Sequence, residues 1–117
     1  MENKDIIVRL ADILKQMETK GKHGDTGYIA NETRMIARNA IELLENFQTQ
    51  SIEVAETKTI AIRELNKAIE QANKYYEKGC GYDPIENRNY RIDIYTFINT
   101  TYNALDLFLV SCKNYHQ

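Results

Sequence analysis

The side chains able to do covalent or acid–base chemistry in this chain are few and scattered. Its two histidines are His23, inside the run GKHGDTG, and His116, one residue from the end. A nucleophilic site needs a base held beside its nucleophile on a rigid element, and neither histidine is so placed. His23 beside Asp25 reads as a solvent-exposed loop residue and His116 as a tail residue. Cys80 and Cys112 fit no C-x-x-C or zinc-ribbon spacing, and H-E-x-x-H, helical E-x-x-H and EF-hand patterns are missing, so no metal and no cofactor is expected. GKHGDTG lacks the GxxxxGK[ST] order of a nucleotide-binding loop, and its glycines leave at most a weak anion nest. Glu42 with Glu45, Glu53 with Glu56, and Asp83 with Glu86 are carboxylate pairs at helical spacing. Acid–base work would require burial to split their pKa values, but their neighbours are polar, and the last pair suits a helix start. No catalytic residue is nominated, and the chain is not expected to be an enzyme.

Recognition chemistry is better represented. Eight tyrosines stand against no tryptophan, and Tyr82, Tyr90, Tyr95, Tyr102 and Tyr115 fall in the last third. Tyrosine buries a ring while its hydroxyl stays wet, which suits a protein interface or base stacking, and equally the rim of a core, the reading for Tyr75, Tyr76 and Tyr102. The run NRNYR, residues 87–91, adds two guanidinium forks able to pair with carboxylate or phosphate. Tyr82, Arg88, Tyr90, Arg91 and Tyr95 are therefore the candidate protein-binding residues. A local network of Arg88 and Arg91 with Glu86 and Asp93 is the structural alternative. Lys20, Lys22, Arg34 and Arg38 form a second set, candidate anion-binding residues whose competing reading is a solvated helix face.

The elements that must position these groups follow from composition and periodicity. A chain of 117 residues and 13.6 kDa, 43% apolar and 27% charged, fits one globular domain over residues 1–117. Fifteen basic against seventeen acidic residues give a net charge of -2, interspersed, with no concentrated basic run of the kind a strong duplex binder carries. The opening MENKDIIVRL has mixed charge and no long apolar core, so neither a secretory signal nor a membrane span is expected there.

Ile6, Ile7, Leu10, Ile13, Leu14 and Met17 recur every three or four residues, predicting a helix from about Asn3 to Met17, widened by Val8 and Ala11. Residues 19–27 read as a Gly-rich loop. A second helix is expected from Asp25 or Thr26 to Asn46 or Phe47, with Met35, Ile36, Ala40, Leu44 and Phe47 on its apolar surface. Residues 51–78 read as one long helix starting at Ser51, with Ile52 and Ala55 continuing its apolar face. The β-branched patch Thr57, Thr59, Ile60 and Ile62 keeps open a hairpin-like insertion over residues 51–62. KGCGYDP marks a turn over residues 79–83, after which Asp83 reads as N-cap, Pro84 as the first helical residue and Glu86 as the capping-box partner. The last helix then starts near Ile85, passes a polar stretch at residues 87–90, and ends near Lys113. Whether Cys80 and Cys112 approach each other is left open.

These readings predict an all-α fold, an antiparallel bundle of about four helices with one or two long ones. Unequal helices leave protruding faces, and a homodimer is expected to cover one of them. The function expected is a non-enzymatic regulator or inhibitor that binds a larger protein through a helical face. The alternative is an accessory nucleic-acid-binding protein using Lys20, Lys22, Arg34 and Arg38 or Arg88 and Arg91. No membrane association and a cytoplasmic location are expected. In size and mixed-charge helices, though in no motif, the chain resembles regulators encoded by phages and mobile elements, including inhibitors of host defence.

Overall fold

In the computed structural model, residues 1–20, 26–78, 82–83, 85 and 88–115 are described. They form helices α1 (Asn3–Lys20), α2 (Thr26–Asn46), α3 (Ile52–Lys78) and α4 (Tyr90–Tyr115), with two short strands, β1 (Tyr82–Asp83) and β2 (Arg88–Asn89), between α3 and α4. Each helix packs on the next in sequence and α1 closes against α4, giving an all-α, antiparallel four-helix bundle about 50 Å long.

The apolar stripes explain that arrangement. Ile6, Leu10, Ile13, Leu14 and Met17 of α1 meet Ile36, Ala37, Ala40 and Leu44 of α2, Val54, Ala61 and Leu65 of α3, and Leu105, Phe108 and Cys112 of α4 in one buried cluster. Alanines at 37, 40, 61, 68, 72 and 104 are all buried and allow neighbouring backbones a close approach. The rings of Phe47 and Phe108 meet edge to face, with centroids 5.2 Å apart, across the diagonal between α2 and α4.

The α2–α3 connection is held on every side. Phe47 N–H donates to Leu44 O at 3.1 Å, tightening the end of α2. The Phe47 carbonyl accepts from Lys58 Nζ at 2.7 Å, so a cation of α3 sits at the negative end of α2. Asn3, at the start of α1, pairs with the Gln48 backbone in both directions, donating to Gln48 O at 2.5 Å and accepting from Gln48 N–H at 3.1 Å. Ser51 N–H donates to Thr49 Oγ1, and Ser51 Oγ accepts from Val54 N–H at 3.3 Å, capping α3.

Residues 51–62 are not a hairpin, for α3 is continuous from Ile52. Its threonines are accommodated because their hydroxyls fold back on the helix, Thr57 to Val54 O and Thr59 to Ala55 O, each at 3.0 Å. Thr57 also lies on the buried Val54–Ala61–Leu65 stripe, where its Oγ1 meets Ser111 Oγ of α4 at 2.7 Å.

Several boundaries and faces differ from expectation. The Gly-rich segment 19–27 is helical at both ends, since Thr19 and Lys20 complete α1 and Thr26 and Gly27 open α2; residues 21–25 lie outside the described residues. The last helix does not begin at Asp83. Asp83 lies in β1, antiparallel to β2 with Tyr82 opposite Asn89 and Asp83 opposite Arg88, and α4 starts at Tyr90. Asp-Pro opens a β-turn as readily as a helix, so the same dipeptide supports both readings; Pro84 and Glu86 themselves lie outside the described residues. Val8, Met35, Ile52 and Ala55 are exposed, because the buried stripes are narrower than the apolar residues available to them.

Three substitutions test this core by urea unfolding. Phe108→Ala removes the diagonal aromatic contact and is expected to cost about 3–5 kcal/mol. Ser51→Ala removes a cap and should cost about 1 kcal/mol. Thr101 is buried with no partner for its Oγ1 among the described residues, so the isosteric Thr101→Val should stabilise the fold by about 1 kcal/mol.

Candidate functional site

The expected protein-binding residues converge where α3 gives way to α4. The β1–β2 register sets Tyr82 opposite Asn89 and Asp83 opposite Arg88, with paired Cα atoms about 4.5–5.5 Å apart as such ladders require. Arg88 thus has Asp83 as its register partner, an opposite charge other than the Glu86 and Asp93 proposed from sequence. Tyr90 and Arg91 follow as the first residues of α4, and β1 lies against that helix. Arg91 and Tyr95 are four residues apart on α4 and share a face. Ile85, between the strands, is 94% exposed. The backbone therefore brings Tyr82, Arg88, Tyr90 and Arg91 together at one end of the bundle, with Tyr95 one turn further along α4.

The candidate anion-binding residues are not gathered in the same way. Lys20 is the last residue of α1 and Lys22 lies outside the described residues. Arg34 is half-buried and turned toward α3, its guanidinium donating to Asn73 Oδ1 at 3.2 Å and to Asn31 Oδ1 at 3.3 Å. Arg38, one turn on, is exposed. Arg34 therefore ties α2 to α3, a role the spacing of the two arginines did not suggest.

The described groups with chemical potential do not gather at one place. His23, Cys80 and His116 lie outside the described residues, and among those described no three His, Cys, Asp or Glu side chains cluster as metal ligands. Glu42, Glu45, Glu53 and Glu56 are all exposed, as solvated carboxylates should be. An open groove of about 520 Å³ runs between α1 and α2, lined by Arg9, Asp12, Gln16, Asn39, Glu42 and Asn46 among others. It mixes both charges without converging them on one point. No described helix is long and apolar enough to cross a membrane.

Among the described residues two titratable groups are perturbed, both on α4 and both upward. Tyr102 is half-buried at the rim, as expected; desolvation and the nearby carboxylates of Glu18 and Asp106 raise its pKa, and it shares a hydrogen bond with Glu18 of α1. Cys112 is a free, buried thiol, and burial pushes it up to about 11. A neutral buried thiol packs as a small hydrophobe and is a poor nucleophile. Cys112 is in step with Leu105 and Phe108, a helical spacing visible in the sequence, but the hydroxyl pair Thr57–Ser111 was missed. Its one signal is that Thr57 falls in step with Val54 and Ala61.

Compared with protein-family models, with curated proteins and with solved structures, the chain matches none.

In a Cys80→Ser variant, Cys112 is the sole thiol. Its depleted thiolate alone should slow reaction with a disulfide reagent at pH 8 about 100-fold relative to the urea-unfolded chain, and burial should slow it further. Because the folded chain holds this proton more tightly than the unfolded one, stability should fall as pH rises from about 9 to about 11. Tyr102, shifted in the same direction, adds to that alkaline loss. Rapid labelling of the native protein at pH 8, or stability rising over this pH range, would contradict the assignment.

Proposed function

We propose that this chain is a non-enzymatic protein-binding regulator that docks on a larger protein through its hairpin end. The observation that supports the reading most is a large aliphatic side chain, Ile85, standing 94% exposed between two short strands. Their register and the start of α4 concentrate two tyrosines and two arginines within ten residues of it. An apolar anchor with tyrosine and arginine close by in the chain has the composition of an interface hot spot. The phosphate-binding alternative has less support, since Arg34 is engaged by Asn31 and Asn73.

The test is site-specific photo-crosslinking in the source cells with a benzophenone amino acid at position 85, and at exposed position 45 of α2 as control. A discrete protein adduct from position 85 that resists nuclease and is missing from position 45 is expected. A folded Tyr90→Ala/Arg91→Ala variant should reduce capture of that partner at least tenfold. Equal adducts from both positions, or undiminished capture by the folded double variant, would remove the hairpin end from consideration.

A further inference from the structure

The outer face of α3 carries its charges in a polarised order. Glu53 and Glu56 lie toward its N-terminus and Arg63 and Lys67 toward its C-terminus, all exposed and, with Ile60 between them, on one side of the helix at steps of three or four residues. Counted from Ile60, the acids stand seven and four residues back and the bases three and seven residues forward. A second α3 laid antiparallel across Ile60 would set each Glu53 level with the other's Lys67 and each Glu56 within one residue, ~1.5 Å, of the level of the other's Arg63.

The neighbouring helix supplies an apolar centre at the same level. Thr57 of α3 meets Ser111 of α4, and the two helices run antiparallel, so Leu107 lies level with residue 61 and Val110 level with residue 58. Leu107 is 50% exposed and Val110 44% exposed. With half-buried Ile60 they form an apolar patch, bounded by acids toward one end of the bundle and by bases toward the other. Beyond Lys67 this side continues through Glu70 and Lys74, which pair with each other at 3.6 Å; within it Glu64 is mostly buried and holds Arg63 at 3.6 Å and Lys67 at 3.5 Å. Those two contacts fix where the cationic heads sit and leave them exposed.

We infer that this α3–α4 face binds a second copy of the same chain about a two-fold axis passing close to Ile60. An apolar centre with a polar rim is the usual anatomy of an interface, and an isologous contact requires a patch complementary to itself, which this charge order provides. The site is separate from the hairpin: Ile60 is about 27 Å along α3 from Lys78 at ~1.5 Å per residue. The inference does not rest on the docking function proposed above.

Sedimentation equilibrium over a range of protein concentrations, with circular dichroism to confirm folding, tests the face. The wild-type chain is expected to dimerise. Glu56→Arg and Arg63→Glu, each placing like charges together twice across the axis, should each weaken the dimer at least tenfold. The double exchange Glu56→Arg/Arg63→Glu restores opposite charges across the axis and should recover most of the lost affinity. Glu45→Lys on α2 should change nothing. A chain that stays monomeric throughout, a dimer indifferent to the single reversals, or a double exchange no better than the singles would each overturn the proposal.

Discussion

The edge-to-face contact of Phe47 with Phe108 is the constraint on which the rest of the bundle depends, because it joins helices that are otherwise diagonal neighbours. Phe47 follows the last residue of α2, where a chain end would ordinarily fray. It is held there by partners from other helices: Lys58 of α3 takes its carbonyl, Asn3 of α1 takes both polar groups of Gln48, and Phe108 of α4 takes its ring. All four helices thus converge on one short connection. Removing the ring would leave the polar clamp with nothing apolar beneath it. Removing the clamp would leave a buried aromatic on an untethered helix end.

Between that end and the hairpin, α3 and α4 are fitted together by small side chains and hydroxyls. The Thr57–Ser111 contact sits in a hydrogen-bond shortage. Two hydroxyl protons face three short contacts, since Thr57 also reaches Val54 O and Ser111 also reaches Phe108 O. One proton arrangement runs from Thr57 through Ser111 to the Phe108 carbonyl, and the other runs from Ser111 through Thr57 to the Val54 carbonyl. Either leaves each oxygen with at least one bond, so the pair is affordable in a dry interface. It also marks the axial register of α3 against α4, because a slip of one residue would part the two hydroxyls and leave each with only the carbonyl of its own helix. That register decides which exposed residues of the two helices stand side by side.

Helix number and order, and the approximate extents of the first three helices, were legible in the sequence because each depends on signals within one element. The stripe from Ile6 to Met17 and the continuous run from Ser51 to Lys78 are periodic enough to overrule the local β preference of Thr57 and Thr59. What could not be read depends on other elements. Val8, Met35 and Ile52 are as apolar as their buried neighbours, and only the positions of the adjacent helices decide that they face water. Asp83 and Pro84 carry a turn signal that is valid for a helix start and a hairpin alike, and the pairing of Tyr82 with Asn89 decides between them. Arg34 and Arg38 have the same spacing in any reading, yet Asn73, far away in sequence, engages one and not the other. The candidate binding residues near position 90 were legible as a composition, whereas their convergence at one end of the bundle required the ladder.

The exposed pair Leu107 and Val110 shows why α4 differs from the other helices. Its inward stripe of Thr101, Ala104, Leu105, Phe108 and Cys112 is complete without them, and Leu109 already packs toward the core from the other side. Apolar residues then occupy most of the circumference of α4 near its C-terminal end, a pattern suited to a helix covered on more than one face. Of the helices in a single bundle, α1 and α3 flank α4 and α2 lies across the core. The fold uses two flanks and the inner face, and the remaining face is the one on which Leu107 and Val110 lie, beside the polarised charges of α3. A two-fold axis at that level sends the hairpins of the two copies to opposite ends of the assembly. Neither hairpin would obstruct the other, and burial of the α3–α4 face would leave both free to engage separate surfaces.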